Sequence, residues 1–151
     1  MNNLITRMNH TSLTVASLDT AIPLFCEGLD FVLTSRAGRD PQSIQTITGV
    51  AGADVEIAYL RRPDHTVELI EYLAPTDRIT AVNRPCDLGF VHLAFDVTDI
   101  NAMIDHLAHF GAKPMAPPFV TKSGGPNAGV RVSYLRSACG ITLELIERKA
   151  T

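Results

Sequence analysis

No stretch of this chain stays apolar for the ~20 consecutive residues that a membrane-spanning helix needs, so no helical passage through a bilayer is expected. Cysteine is scarce: Cys26, Cys86 and Cys139 are odd in number, widely spaced and never in a CxxC arrangement. They read as reduced, mostly buried small hydrophobes. Positive charge is short as well. With 13 Lys and Arg against 16 Asp and Glu, the formal net charge is -3 and the pI near 5.9. That balance argues against nucleic acid or an anionic membrane surface as a partner. The opening residues Met1-Asn2-Asn3-Leu4 lack the basic-then-apolar pattern of a signal segment, and a cytoplasmic location is expected.

What the chain does have is a composition that folds. It is 46% hydrophobic and 19% charged, which favours a packed soluble protein over disorder. Its 151 residues suit one domain, or two small modules sharing a core.

The pattern along the chain favours two modules in one domain, because the same parts occur twice in the same order. Residues 9–15 alternate as a strand, with Leu13 and Val15 on one face and His10, Ser12 and Thr14 on the other. A helix follows over residues 18–27, capped by Ser17 or Asp19 and ended by Gly28, with Pro23 tolerated if it falls in the first turn. Residues 31–35 read as a short strand, and residues 36–54 as a long loop with one weak strand. Residues 55–60 and 66–72 are strands around a turn at Arg61-Arg62-Pro63-Asp64. Residues 74–88, with Pro75 and Pro85, read as a linker. Val91-His92-Leu93-Ala94-Phe95-Asp96-Val97 then opens the second module as another alternating strand. Its helix has Asp99 as cap, an apolar stripe of Ile100, Met103, Ile104, Leu107 and Phe110, and Gly111 as its end. Residues 113–118 are short and broken by proline. Residues 123–129 form a Gly-rich hairpin connection; it is no phosphate cradle, since no Lys-Ser/Thr follows and no helix begins there. Residues 130–135 and 141–147 are the closing strands.

Each module thus reads β-α-β-β-β, over about residues 7–73 and 89–148. A sheet with one covered face cannot bury itself alone. The expected class is α+β, with the paired modules forming one curved mixed sheet around a cleft.

The repeat also pairs chemistry. His10 matches His92, and Glu68 and Glu144 fall at the same place within Val67-Glu68-Leu69-Ile70-Glu71 and Leu143-Glu144-Leu145-Ile146-Glu147. A single strand histidine or glutamate is usually structural or solvated, but recurrence of both types raises the odds of a site. With the modules related by a pseudo-twofold axis, the four side chains could converge. Two imidazoles and two carboxylates suit one divalent ion, Zn²⁺, Co²⁺, Ni²⁺, Mn²⁺ or Fe²⁺, with positions left open for substrate. Glu71 and Glu147 fall on the opposite strand face and read as solvent-reaching charges. His65, in a turn, and His106 and His109, off the helix stripe, read as ordinary.

These residues resemble the vicinal oxygen chelate superfamily of glyoxalases, bleomycin-resistance proteins and extradiol dioxygenases. The likeness runs from His10 to Glu147 and, in Val91–Ile100, Val55-Glu56-Ile57 and Ile141-Thr142-Leu143-Glu144-Leu145, is nearest to methylmalonyl-CoA epimerase-like members. It implies His10, Glu68, His92 and Glu144 as metal ligands. It also implies Glu56 and Glu144 as an acid/base pair, and a homodimer. The epimerases typically carry Gln where this chain has Glu68, whereas glyoxalase I forms often carry Glu. The implied activity is a metal-dependent epimerase or isomerase. It would remove a proton next to a carboxylate or thioester carbonyl of an acyl-CoA or a small (amino-)dicarboxylate. The alternatives are a glyoxalase-type lyase and a metal-free ligand- or drug-binding resistance module.

Overall fold

The structure is a computed structural model in which residues 4–122 and 128–148 are described. Most of the expected 123–129 connection lies outside the described residues. The chain divides into two compact units, with the boundary between Arg78 and Ile79.

In the first unit, β1 (Thr11–Val15) leads into α1 (Leu18–Pro23), which continues as a π-helical turn over Leu24–Gly28. Then come β2 (Val32–Gly38), α2 (Pro41–Thr48), β3 (Asp54–Arg61) and β4 (Thr66–Ala74). The sheet order is β1-β4-β3-β2, with β1 parallel to β4 and the other pairs antiparallel. Helix α1 is the crossover that the parallel pair requires. Its Leu18 and Ala21, with Leu24 and Phe25 of the π turn, are fully buried, and the helix lies against β3 and β4. Pro23 sits at the last α-helical position rather than in the first turn. It has no N–H to give to the carbonyl four residues back, and the chain continues in the wider turn.

Helix α2 replaces most of the expected loop. The Asp40 carboxylate accepts from the Ser43 N–H at 2.8 Å, Pro41 occupies the first turn, and Gly49 ends the helix at φ 72°. None of its residues is buried, so it adds nothing to the core. The cap, proline and terminal glycine were its readable signals.

The second unit runs β5 (Leu93–Val97), α3 (Ile100–Ala108), β6 (Lys113–Pro114), β7 (Phe119–Val120), β8 (Arg131–Arg136) and β9 (Thr142–Glu147). Its sheet order is β5-β9-β8-β6, with β7 also pairing β8. Two two-residue strands stand where one was expected, separated by Pro117 and Pro118, which cannot donate to a ladder. The class is α+β as expected, but the strands form two mixed sheets rather than one. The cysteines are all free; Cys139 is buried and Cys26 half-buried, whereas Cys86 is exposed, against expectation.

In each unit the last strand is central, and its two faces do different work. Val67 and Leu69 on β4, and Leu143 and Leu145 on β9, are fully buried. On that same face Glu71 accepts from the Leu18 N–H at 2.7 Å, and Glu147 accepts from the Ile100 N–H at 2.9 Å. These two carboxylates hold the first turns of α1 and α3, where N–H groups lack helical partners and negative charge is favoured. The expectation that they reach solvent is corrected by these bonds.

Helix α3 is held a second time by Asp99, which accepts from the N–H groups of Asn101 at 2.9 Å and Ala102 at 3.0 Å. Asp99→Ala is expected to cost about 1 kcal/mol, seen as a lower urea midpoint with an unchanged slope. An unchanged midpoint would mean that Glu147 alone suffices to hold that end.

Candidate functional site

The open face of each central strand gathers the histidine and glutamate singled out by the repeat. In the first unit, parallel pairing sets Ser12 opposite Glu68, and His10 lies two residues before Ser12, on the same face. Its Nε2 is 3.4 Å from Glu68 Oε2. Tyr59 stands directly opposite Glu68 on β3 and donates its phenolic O–H to Glu68 Oε1. The His10 and Tyr59 rings meet edge to face with centroids 5.7 Å apart. Glu68 is buried, and the hydrogen bond to it, followed by burial, pushes the Tyr59 phenol above its ordinary range.

The second unit repeats the arrangement. Ala94 pairs with Glu144, His92 lies two residues before it, and His92 Nε2 is 3.0 Å from Glu144 Oε2. Tyr134 is opposite Glu144 on β8, and its ring packs on the His92 ring with centroids 5.1 Å apart. Burial, then the charge of Glu144, pushes the Tyr134 phenol up. A hydrogen bond separates the trios: among the described residues Tyr59 is bonded to its glutamate and Tyr134 is not.

The two tyrosines were missed in the sequence, although a signal was there. Tyr-Leu-Arg occurs at residues 59–61 and again at 134–136, each shortly before Thr-x-Glu at 66–68 and 142–144. The repeat is therefore closer in its third and fourth strands than His and Glu alone suggest.

Glu56 is placed differently from the expectation. It pairs with Glu71 in register, three residues from Tyr59, and so faces the α1 side of the sheet, away from Glu68. Arg36 binds both its oxygens, Nε to Oε1 at 3.0 Å and Nη2 to Oε2 at 2.9 Å, and reaches Asp19 Oδ1 with Nη1 at 2.6 Å. The Arg36 hydrogen bond holds the Glu56 carboxyl below its usual range. On that face both carboxylate oxygens are taken up by Arg36. Of the other histidines, His65 contacts Thr11 Oγ1 at 3.0 Å, and His109 reaches the His106 carbonyl.

Each His–Glu pair has the donor spacing of a divalent site. Two ligand atoms about 2.1 Å from one ion, at about 90–110° to each other, lie roughly 3.0–3.4 Å apart. The observed pairs, at 3.4 and 3.0 Å, match that spacing. No group of three or more His, Cys, Asp or Glu side chains that could hold a metal ion occurs among the described residues. The chemistry of each pair fits two of the ligands in a coordination sphere.

The profile of the Glyoxalase/Bleomycin resistance protein/Dioxygenase superfamily matches residues 7–145, and the chain belongs to that superfamily. A 2-epi-5-epi-valiolone epimerase of an Actinomyces species is 35% identical, over 95% of this chain and 80% of its own length. Among solved structures, a glyoxalase family protein from Bacillus cereus is 31% identical at a TM-score of 0.80, covering 97% of this chain and 96% of that one. A variant of glyoxalase I from Zea mays shares the fold at a TM-score of 0.64 and 22% identity, covering 95% of this chain and 45% of the longer one. These likenesses support an enzyme of epimerase or isomerase type. No helix among the described residues is long and apolar enough to cross a membrane.

The Arg36–Glu56 pair sets a pH dependence. A carboxyl whose pKa is lowered on folding contributes stability above its unfolded value, near 4.5, and loses it as pH falls through the folded value. Arg36→Ala should therefore lower the urea midpoint at about pH 7, and the gap between the two proteins should shrink as pH falls below the ordinary carboxylate range. A difference that persists undiminished in acid would assign the effect to something other than this carboxylate.

Proposed function

We propose that this chain is a metal-dependent epimerase or isomerase that moves a proton at a carbon next to a carbonyl or carboxylate. The observation that carries this reading is the His–Glu pair repeated at the same strand register in both units, at 3.4 and 3.0 Å. His10, Glu68, His92 and Glu144 would hold one divalent ion, drawn from Zn²⁺, Co²⁺, Ni²⁺, Mn²⁺ and Fe²⁺. When bound, the ion supplies positive charge next to the substrate oxygens on which negative charge develops.

The protein's own groups divide the remaining work. Glu144 is the residue we assign to accept the substrate proton, because His92 is the one side chain paired with it among the described residues. Glu68 is steadied by Tyr59, whose hydroxyl is within proton-transfer reach of one of its oxygens. That couple is the candidate to return a proton to the intermediate. Glu56, bound at both oxygens by Arg36, is left out of this assignment. The relative's named substrate denotes a ketone, which widens the substrate class from acyl-CoA or small (amino-)dicarboxylate to carbonyl compounds in general. A homodimer working in the cytoplasm on a small molecule remains part of the proposal.

Deuterium wash-in from heavy water tests it. Protein loaded with Co²⁺ or Zn²⁺ should exchange the proton next to the carbonyl of a suitable substrate. Glu144→Gln and His92→Ala should slow exchange by roughly 10²–10⁴-fold. Exchange that continues at full rate after the metal is removed by a chelator would overturn the metal dependence. Exchange unaffected in Glu144→Gln would remove that residue from the role of base.

A further inference from the structure

The repeat extends two residues beyond the tyrosines, and there the two units diverge. Arg61 pairs with Thr66 at the end of β3, and Arg136 pairs with Thr142 at the matching end of β8. Strand alternation puts Arg61 on the face of Tyr59 and Glu68, and Arg136 on the face of Tyr134 and Glu144. Arg136 is half-buried, and its Nη2 donates to the Asn83 carbonyl at 2.7 Å. Arg61 is exposed and, among the described residues, its guanidinium has no hydrogen bond or ion pair. The same is true of Arg7.

These two free guanidinia share a location. Arg7 and Arg61 line a cleft of about 500 Å³ that also contains His10, and an adjoining cleft of about 250 Å³ that contains Tyr59. Asn9 and Thr66 line both clefts and add neutral polar groups. The carboxylate in the larger cleft, Asp64, lies 3.6 Å from Arg62 Nε, and Arg62 also donates to the Leu29 carbonyl at 2.7 Å. The neighbouring arginine thus takes up the local negative charge, and Arg7 and Arg61 keep theirs. Two uncompensated guanidinium groups beside neutral donors are the arrangement that recognises a planar or tetrahedral oxyanion.

We infer that Arg61 and Arg7 form an oxyanion-binding subsite beside His10 and Glu68, which takes a carboxylate or phosphoryl group carried by the substrate. The inference rests on the proposed function only for the word substrate; the anion site itself is a property of this unit. It narrows the substrate to a carbonyl compound with an anionic group at a distance from the reacting carbon. It also accounts for why one arginine of the repeated pair is held by backbone and the other is left open.

The test uses the full chain without added metal, titrated separately with inorganic phosphate and with malonate, and followed by the ring NMR signals of His10 and by calorimetry. At least one anion should bind and shift His10. Arg61→Ala and Arg7→Ala should each weaken that binding by about tenfold or more, and Arg61→Lys should retain part of it. Arg84→Ala, which breaks an exposed pair with Asp87 elsewhere, should leave it unchanged. Phosphate binding alone assigns a phosphoryl group, and malonate binding alone a carboxylate; both support the subsite. Absence of binding by either anion, or binding that Arg61→Ala leaves intact in a protein with an unchanged urea midpoint, overturns it. Absence of proton exchange in the unsubstituted, metal-loaded protein, with anion binding preserved, would defeat the epimerase reading and leave the subsite standing.

Discussion

The structure depends on a single constraint applied twice: the last strand of each unit is the central strand, and a strand shows alternate residues to opposite faces. Because β4 lies between β1 and β3, and β9 between β5 and β8, the side chains of Val67–Glu71 and Leu143–Glu147 have neighbours on both sides. On one face Val67, Leu69 and their counterparts Leu143 and Leu145 make the core, and Glu71 and Glu147 tie down the helices. On the other face the same strands present Glu68 and Glu144 to a histidine from the parallel neighbour and a tyrosine from the antiparallel one. A one-residue slip of either strand would exchange the two faces, placing a helix-holding glutamate in the site and the site glutamate in the core. The core and the site therefore share one register.

That coupling explains why so much was legible from the residues. The His and Glu positions could be read because alternation and repetition are properties of sequence order. The helix of Ile100 and Leu107 could be read because its cap and stripe are local. Helix α2 is short and buries none of its residues, and its Asp40-Pro41 start and Gly49 end are the local signals that announce it. The engagement of Glu56 by Arg36 was hidden for a different reason. Its family likeness supplied a function, while its partner Arg36 lies 20 residues away on the neighbouring strand, a pairing that no local pattern encodes. The helix-holding role of Glu71 and Glu147 was hidden in the same way, because the N–H groups they meet belong to residues 53 and 47 positions earlier.

Duplication makes departures from symmetry informative. Identical Tyr-Leu-Arg triplets sit opposite matching Thr-x-Glu triplets, so differences between the units come from what surrounds them. In the first unit the tyrosine is bonded to the glutamate and, among the described residues, the arginine side chain has no hydrogen bond or ion pair. In the second the tyrosine packs on the histidine, and the arginine is tied to a backbone carbonyl. One unit is thus organised to steady its carboxylate and to offer positive charge. The other keeps its carboxylate open and its arginine occupied.

The proposed reaction asks for two carboxylates in different surroundings, because one group must take a proton while another is ready to give one. Glu68 has Tyr59 at one oxygen and His10 at the other, so neither oxygen is left for a substrate proton without loss of an existing contact. Glu144 has His92 at one oxygen, and among the described residues no side chain pairs with the other. The phenol beside Glu68 is a donor by construction, whereas the open oxygen of Glu144 is an acceptor. The same fold, written twice, thereby leaves both carboxylate oxygens engaged in the first unit and, among the described residues, one oxygen without a side-chain partner in the second.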